Sequence, residues 1–332
     1  AADEAQLSYL SQVYLVTGGC GFIGEKIVEL LSQQDYIKEV RVFDSGAREE
    51  EKIIPATTHV TVMKGDIRDY NLLLAAMRGV HVVIHTAAIV DYRNTVPFWE
   101  MKAVNVGGQG LQTKSRYDKH LPAPSSTSTV TQHLAIYSRG NEDTKYSGEV
   151  ELPYGKTKAM AEKLVFEANG KKVQKSMVAP LPENTERNST YVGNVAWMHV
   201  LAARHLQLRP DLLAGQVYYC YDDTPRKGFL VRHQILSSMD PSIRLGSHIP
   251  YWKMWLIIHL HRIIKVLLYP FWKPQPFLNL PLLNTIVTTF SYETDKAFRH
   301  FGYKPLFTWQ ESKQRTAQWL KAAAGNLSSW SC

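Results

Sequence analysis

The segment VYLVTGGCGFIG, from Val13 to Gly24, limits what this chain can fold into more than any other stretch. A β-branched, apolar run that fits a buried strand ends abruptly in glycines, and the residues from Phe22 to Gln33 then carry a helical apolar pattern. Gly18, Gly21 and Gly24 fall at G-x-x-G-x-x-G spacing on the turn between the two. Glycines there let the backbone turn tightly and come close to a bound diphosphate, whose charge is stabilised by the open N–H groups of the helix N-terminus. Phe22 and Ile23 stand among those first helical residues. Such a motif alone is as often a plain tight turn, so a second feature has to decide.

Asp44 is that feature. The run EVRVFD reads as a second strand and ends in this carboxylate, about 20 residues beyond the last glycine, where an acid accepts hydrogen bonds from an adenosine ribose. A carboxylate there repels a 2′-phosphate, so the pattern predicts NAD rather than NADP, a preference softened by the neighbouring Arg48. VTVMKGDI, ending at Ile67, reads as a third strand, with Asp66 expected to accept from the adenine amine and Ile67 to pack on the ring. The residues from Asn71 to Arg78 are helical, and VHVVIHTAA, from Val80 to Ala88, is a fourth strand with its exit loop. There Thr86 and Ala87 are small enough to leave room for a nicotinamide ribose. Strands alternating with helical patterns predict an α/β chain with a doubly wound parallel sheet of the Rossmann type.

Between Gln109 and Arg139 the pattern degrades, because LPAPSSTSTVTQH offers neither a helical nor a strand period. Regularity returns with PYGKTKAMAEKLVFEANG, which reads as a long helix ending near Gly170. At its start, Tyr154 and Lys158 stand four residues apart and share one face. A lysine ammonium beside a phenol favours phenolate and draws its pKa down from about 10. Tyr154 can then take a proton from a substrate alcohol while the carbon gives hydride to NAD, and Lys158 serves the cofactor as well. Such a site also needs a hydroxyl at the end of the preceding strand. Ser125, Ser126, Ser128 and Thr129 are candidates, with Ser128 preferred. All four also suit an ordinary Ser/Thr-rich turn.

A second helix is expected from Val192 to Leu206, and the tail beyond Lys227 changes character. From Ile249 to Trp272 it is crowded with aromatic and aliphatic residues, yet interrupted by Lys253, Arg262 and Lys265. Those charges are costly in hydrocarbon, which favours a helix lying at the membrane interface, with Trp252, Trp255 and Trp272 at headgroup level. An apolar helix covering a substrate pocket is the alternative. The division expected is therefore 1–226 for the cofactor domain and 227–332 for a smaller substrate and membrane-associated region. A formal net charge of +8 without any basic run interleaved with aromatics argues against nucleic acid. Three scattered cysteines, outside metal-ligand spacing, fit a reducing compartment and no metal. AADEAQLSYL lacks the features of a cleavable signal, so the catalytic part is expected to face the cytosol, where the sequons at Asn188 and Asn326 would stay unmodified.

With these residues in hand, the chain resembles the 3β-hydroxysteroid dehydrogenase/Δ5-Δ4 isomerase family of extended short-chain dehydrogenases. The segments alike are YLVTGGCGFIGEKIV, RVFD, HVVIHTAA, YSRGNEDT, EANGKKV, YVGNVAWMHVLAARHL, GQVYYCYDD and TDKAFRHFGYKPLFTW, which run from Tyr14 to Trp309. The resemblance is strongest with members that act on C27 sterols in bile-acid synthesis. It implies NAD-dependent oxidation of a 3β-hydroxy-Δ5-steroid and isomerisation of the product to the Δ4 ketone, on the endoplasmic-reticulum membrane, with a homo-oligomer admissible. Two segments depart from the family pattern. STST, Ser126 to Thr129, is the nearest match to the family's Tyr-Thr-Ser-Ser strand end, and the chain passes from Lys172 to Tyr191 in 19 residues where the family carries a further strand and a substrate loop. The shortened link admits a second reading, a non-catalytic NAD-binding descendant, and a third, an epimerase or reductase of another small molecule.

Overall fold

A computed structural model describes residues 12–47, 58–91, 95–108, 128–129, 142, 156–157, 186, 188–226, 228–239, 251–268, 280, 283–284 and 291–328. Five strands, β1 (Gln12–Thr17), β2 (Ile37–Asp44), β3 (His59–Lys64), β4 (Val82–His85) and β5 (Ser128–Thr129), lie in the order β3-β2-β1-β4-β5. Every pairing is parallel. The order runs outward from β1 in both directions, so the chain reverses its winding between β1 and β4 and leaves a crevice at their carboxyl ends. The doubly wound sheet expected from the sequence is present.

The strand period explains how β1 serves two cores at once. Tyr14 and Val16 face one side, with Ile27, Val28 and Leu31 of helix α1 (Phe22–Leu31) and with Ala196, Val200 and Ala203 of helix α4 (Val192–Leu208). Leu15 faces the other side, with Phe43, Val83 and the helix α2 (Tyr70–Ala76) residues Leu73 and Ala76. Central β4 is buried along its whole length, as a strand covered on both faces must be. Helix α2 starts at Tyr70 because Asp69 caps it, accepting from the N–H groups of Asn71 and Leu72 at 3.0 and 3.1 Å. Strand β3 stops at Lys64, earlier than the expected Ile67. A Cβ at Gly65 would lie 2.5 Å from the Phe43 ring, and the chain turns off the sheet there.

Beyond β4 come a short helix α3 (Phe98–Lys102) and a π-helical turn, Ala103–Gly108. After α4 follow α5 (Pro210–Leu213), α6 (Gly228–Met239), α7 (Tyr251–Leu268), α8 (Lys296–Phe301) and α9 (Trp309–Ser328). A third cluster joins Met198 of α4 and Leu213 of α5 to Ala297, Phe301 and Tyr303, so the C-terminal segment packs back on α4 across the boundary expected at 226/227. Asn194, fully buried, fastens it: its amide donates to the Asp222 carboxylate at 3.0 Å and to the Phe307 carbonyl at 2.9 Å, while its oxygen accepts from the Phe307 N–H at 2.8 Å. Asn188, the first sequon, is likewise occupied, donating to the Tyr292 carbonyl and accepting from its N–H.

Helix α7 is the exception to this burial. Ile258 is its buried residue, while Trp252, Trp255, Leu256, Ile257, Leu260, Ile263, Val266 and Leu267 are exposed. Among the described residues no helix is long and apolar enough to cross a membrane.

Removing the Asn194 amide strands both backbone groups of Phe307 and takes one hydrogen bond from Asp222, which keeps those from the Tyr191 and Thr224 N–H groups. Asn194→Ala should cost about 2–3 kcal/mol, read as a lower thermal midpoint together with faster amide exchange across residues 303–308. An unchanged midpoint would mean that the C-terminal segment is held by its apolar contacts alone.

Candidate active site and cofactor cleft

The glycine loop is shaped by what it cannot accommodate. Gly18 has φ of 74°, and a Cβ there would lie 2.5 Å from the Ala87 nitrogen at the exit of β4. At Gly24 a Cβ would meet the Gly18 carbonyl oxygen at 2.1 Å. These two positions need glycine, one for its conformation and both for backbone approach. The first bond of α1 runs from the Glu25 N–H to the Gly21 carbonyl at 2.9 Å, and Gly21 offers no side-chain cap. The N–H groups of Phe22, Ile23 and Gly24 therefore form an open helix N-terminus in a ten-residue helix. This cradle suits the diphosphate of a dinucleotide.

The Asp44 carboxylate stands at the end of β2, accepting from the Cys20 N–H at 3.1 Å and from the Gly46 N–H at 2.8 Å. It thus braces the far side of the glycine loop and remains half-buried beside it. Arg48 lies outside the described residues. Asp66 is held by Arg68 in a forked pair, with Nε 3.0 Å from both carboxylate oxygens and Nη2 2.6 Å from Oδ2. Hydrogen bonding from that guanidinium keeps the Asp66 carboxyl below the usual range. Ile67 is buried under Gly108, where a Cβ would come within 2.8 Å of it. Its side chain belongs to the core with Leu15, Phe43 and Leu73 rather than to an open adenine face.

At the exit of β4, the Thr86 hydroxyl donates to the carbonyls of Thr17 at 2.9 Å and Gly18 at 3.3 Å. It thereby ties the two strand ends on either side of the crevice. Below it Thr17 Oγ1 and His85 Nδ1, both buried, are 2.6 Å apart. Ser128 lies on β5 directly beside Ile84 of β4, one position before the pair formed by Thr129 and His85. Tyr154 and Lys158 lie outside the described residues, but Lys156 and Thr157 between them are helical.

Thr157 exposes a residue that the sequence reading missed. Asn105, on the π-helical turn and 2% exposed, donates from Nδ2 to Thr157 Oγ1 at 2.9 Å and to the Ile89 carbonyl at 3.0 Å. Its Oδ1 accepts from the Ile89 N–H at 2.8 Å. One amide thus fastens the Y-x-x-x-K segment to the β4 exit loop. Next to that loop, buried Asp91 accepts from the N–H groups of Thr95 and Val96, fixing the approach to α3. A π-turn widens the helix and often marks such a site, but nothing in the string KAVNVGG announces it.

The sequence matches the model of the 3-beta hydroxysteroid dehydrogenase/isomerase family over residues 15–181 and 172–242. It is 42% identical to rat (Rattus norvegicus) 3 beta-hydroxysteroid dehydrogenase type 7 over 342 residues, which cover 98% of this chain and 99% of the relative. The chain belongs to the 3-beta hydroxysteroid dehydrogenase/isomerase family. The type 7 proteins of mouse (Mus musculus) and human (Homo sapiens) are 39% and 38% identical, again over 98% of the chain and 99% of each relative. Those two alignments run over 373 residues against the 332 of this chain, so some tens of the relatives' positions have no counterpart in this family member. The two pieces of the family match meet at 172–181, where the link from Lys172 to Tyr191 begins.

Solved structures support the fold. A dTDP-glucose 4,6-dehydratase from Bacillus anthracis, determined in complex with NAD, superposes with a TM-score of 0.63 over 94% of this chain and 97% of that one, at 16% identity. DesIV, another dTDP-glucose 4,6-dehydratase, from Streptomyces venezuelae with NAD and TYD bound, gives 0.64 over 95% and 98%, at 19% identity. This family member therefore carries the sheet and helix arrangement of those enzymes.

Asn105→Ala should detach the Thr157 helix from the β4 exit, lowering kcat while leaving NAD affinity near its starting value, because the glycine cradle and Asp44 make no use of Asn105. Steady-state kinetics and calorimetric NAD titration separate the two effects; an equal loss in both would make Asn105 part of the cofactor cradle.

Proposed function

We propose that this protein oxidises a 3β-hydroxy-Δ5-steroid to its 3-oxo product with NAD, coupled to Δ5-Δ4 isomerisation, in steroid or bile-acid synthesis. The observation that carries the reading is identity of 42% over nearly the whole of a relative named 3 beta-hydroxysteroid dehydrogenase type 7. A C27 sterol is the substrate this kinship favours. NAD, when bound, accepts the hydride leaving C3 of the steroid. The chain's own residues do the rest. Gly18, Gly21, Phe22, Ile23 and Gly24 hold the diphosphate on the open end of α1, Asp44 takes the adenosine ribose, and Asp66 takes the adenine amine. Thr86 and Ala87 leave space at the β4 exit for the nicotinamide ribose. Tyr154 removes the hydroxyl proton, Lys158 lowers its pKa and bonds the cofactor, and Ser128 donates to the reacting oxygen. Asn105 keeps this helix in register with the β4 exit through Thr157.

In this reading residues 1–226 bind the cofactor, and residues 227–332 serve the substrate and the membrane. The exposed apolar surface of α7, with Lys253, Arg262 and Lys265 along it, suits a helix lying in the headgroup region of the endoplasmic reticulum, catalytic part to the cytosol. A sterol dissolved in the bilayer would then reach the site without crossing water. One observation favours a second reading, an NAD-binding protein that no longer turns over: the family match comes in two pieces that overlap at 172–181, at the start of the shortened link to Tyr191.

Reconstituted protein, given NAD and a 3β-hydroxy-Δ5 sterol, should form NADH and a conjugated ketone, and Tyr154→Phe should lose about 10²–10⁴-fold in rate with NAD still bound. NAD binding without turnover in the unaltered protein would instead favour the second reading. Replacing Trp252 and Trp255 together by Ser should move the protein from sedimented anionic vesicles toward the supernatant; undiminished sedimentation would assign α7 to the substrate pocket.

A further inference from the structure

The edge of the cofactor cleft has a neighbour from the far end of the chain. Trp319 of α9 meets Phe22 edge-on, with ring centroids 5.8 Å apart. Phe22 is the first residue of α1, and side chains in a helix lean toward its N-terminus, which here is the glycine loop. A ring packed on Phe22 therefore lies beside the open N–H groups of the cradle. Both rings remain more than half exposed, at 63% and 57%, so this is no core contact.

The position of α9 is fixed independently of that pair. Arg315, one turn earlier on the same face, sets its guanidinium carbon 4.5 Å over the Phe307 ring. Phe307 in turn meets Tyr191 edge-on at 5.5 Å and fills the space a Cβ would need at Gly193. Asn194 holds both backbone groups of Phe307. The start of α4 thus anchors the first turns of α9, and α9 also packs along α6. Trp319 reaches Phe22 from a braced helix.

We propose that Trp319 is a cofactor-retaining residue, which with Phe22 roofs the diphosphate cleft so that α9 covers one side of a bound dinucleotide. The inference rests on the dinucleotide reading of the cradle. An aromatic roof excludes water from the diphosphate and strengthens its attraction to the helix N-terminus, since the same charges interact more strongly where the local dielectric is low. It makes no contact with the reacting carbon, so its effect falls on binding and release rather than on chemistry.

Calorimetric titration of the full chain in detergent with NAD is the test. Trp319→Ala should bind NAD about five- to tenfold more weakly, Trp319→Phe should recover most of that loss, and Phe22→Ala combined with Trp319→Ala should lose less than the two single changes together. In the unaltered protein, NAD should slow amide exchange across residues 315–322, a readout that needs no variant. Binding equal to the unaltered protein in Trp319→Ala, or exchange in α9 indifferent to NAD, overturns the roof while leaving the dinucleotide reading intact. Absence of NAD binding in the unaltered protein would overturn the dinucleotide reading itself.

Discussion

The close approach of two strand ends, where Gly18 passes the Ala87 nitrogen, is the constraint on which the rest of this molecule depends. A Cβ at Gly18 would sit 2.5 Å from that nitrogen, and the Thr86 hydroxyl bonds the carbonyls of Thr17 and Gly18 across the same gap. With β1 and β4 held so tightly, the first turn of α1 is fixed over the crevice where the sheet reverses its winding. An open helix N-terminus and a carboxylate at the end of β2 then face one space. In the proposed function the backbone dipoles there attract the anion and the acid takes the ribose.

Reaching from that point, two buried asparagines do similar work in different layers. Asn105 ties the Thr157 helix to the β4 exit, and Asn194 ties the C-terminal segment to α4. Each uses both ends of its amide on backbone groups, a geometry that an apolar residue of equal size cannot reproduce and that becomes costly when half satisfied. Through the first, the helical residue Thr157 is registered to the β4 exit loop. Through the second, residues far along the chain return to the first strand–loop–helix unit, which is how Trp319 comes to lie against Phe22.

Helix α7 stands apart from both arrangements. A soluble helix hides its apolar stripe, whereas α7 buries Ile258 and leaves most of its large apolar side chains to the surroundings. In the proposed function this surface, with its basic residues, lies in the headgroup region of a membrane. The proposed sterol substrate would partition into the same phase.

By itself the sequence determined the local units: β1, the glycine turn, α1, the strand ending in Asp44, and the long helix after Tyr191. Their signals are short-range, consisting of strand and helix periods, glycines at fixed spacing and an acid at a strand end, so they survive without knowledge of neighbours. Boundaries moved where one side chain decided them, as Asp69 did for α2 and Phe43 against Gly65 for the end of β3. The family was legible as well, because several motif segments are long. Only the tertiary structure decided that Ile67 is spent on the core, that Asn105 meets Thr157, and that Phe307 and Trp319 close back on the first half of the chain. Those contacts join residues many tens of positions apart, and an asparagine or tryptophan carries no periodic mark of which distant partner it will meet once the sheet has brought the two together.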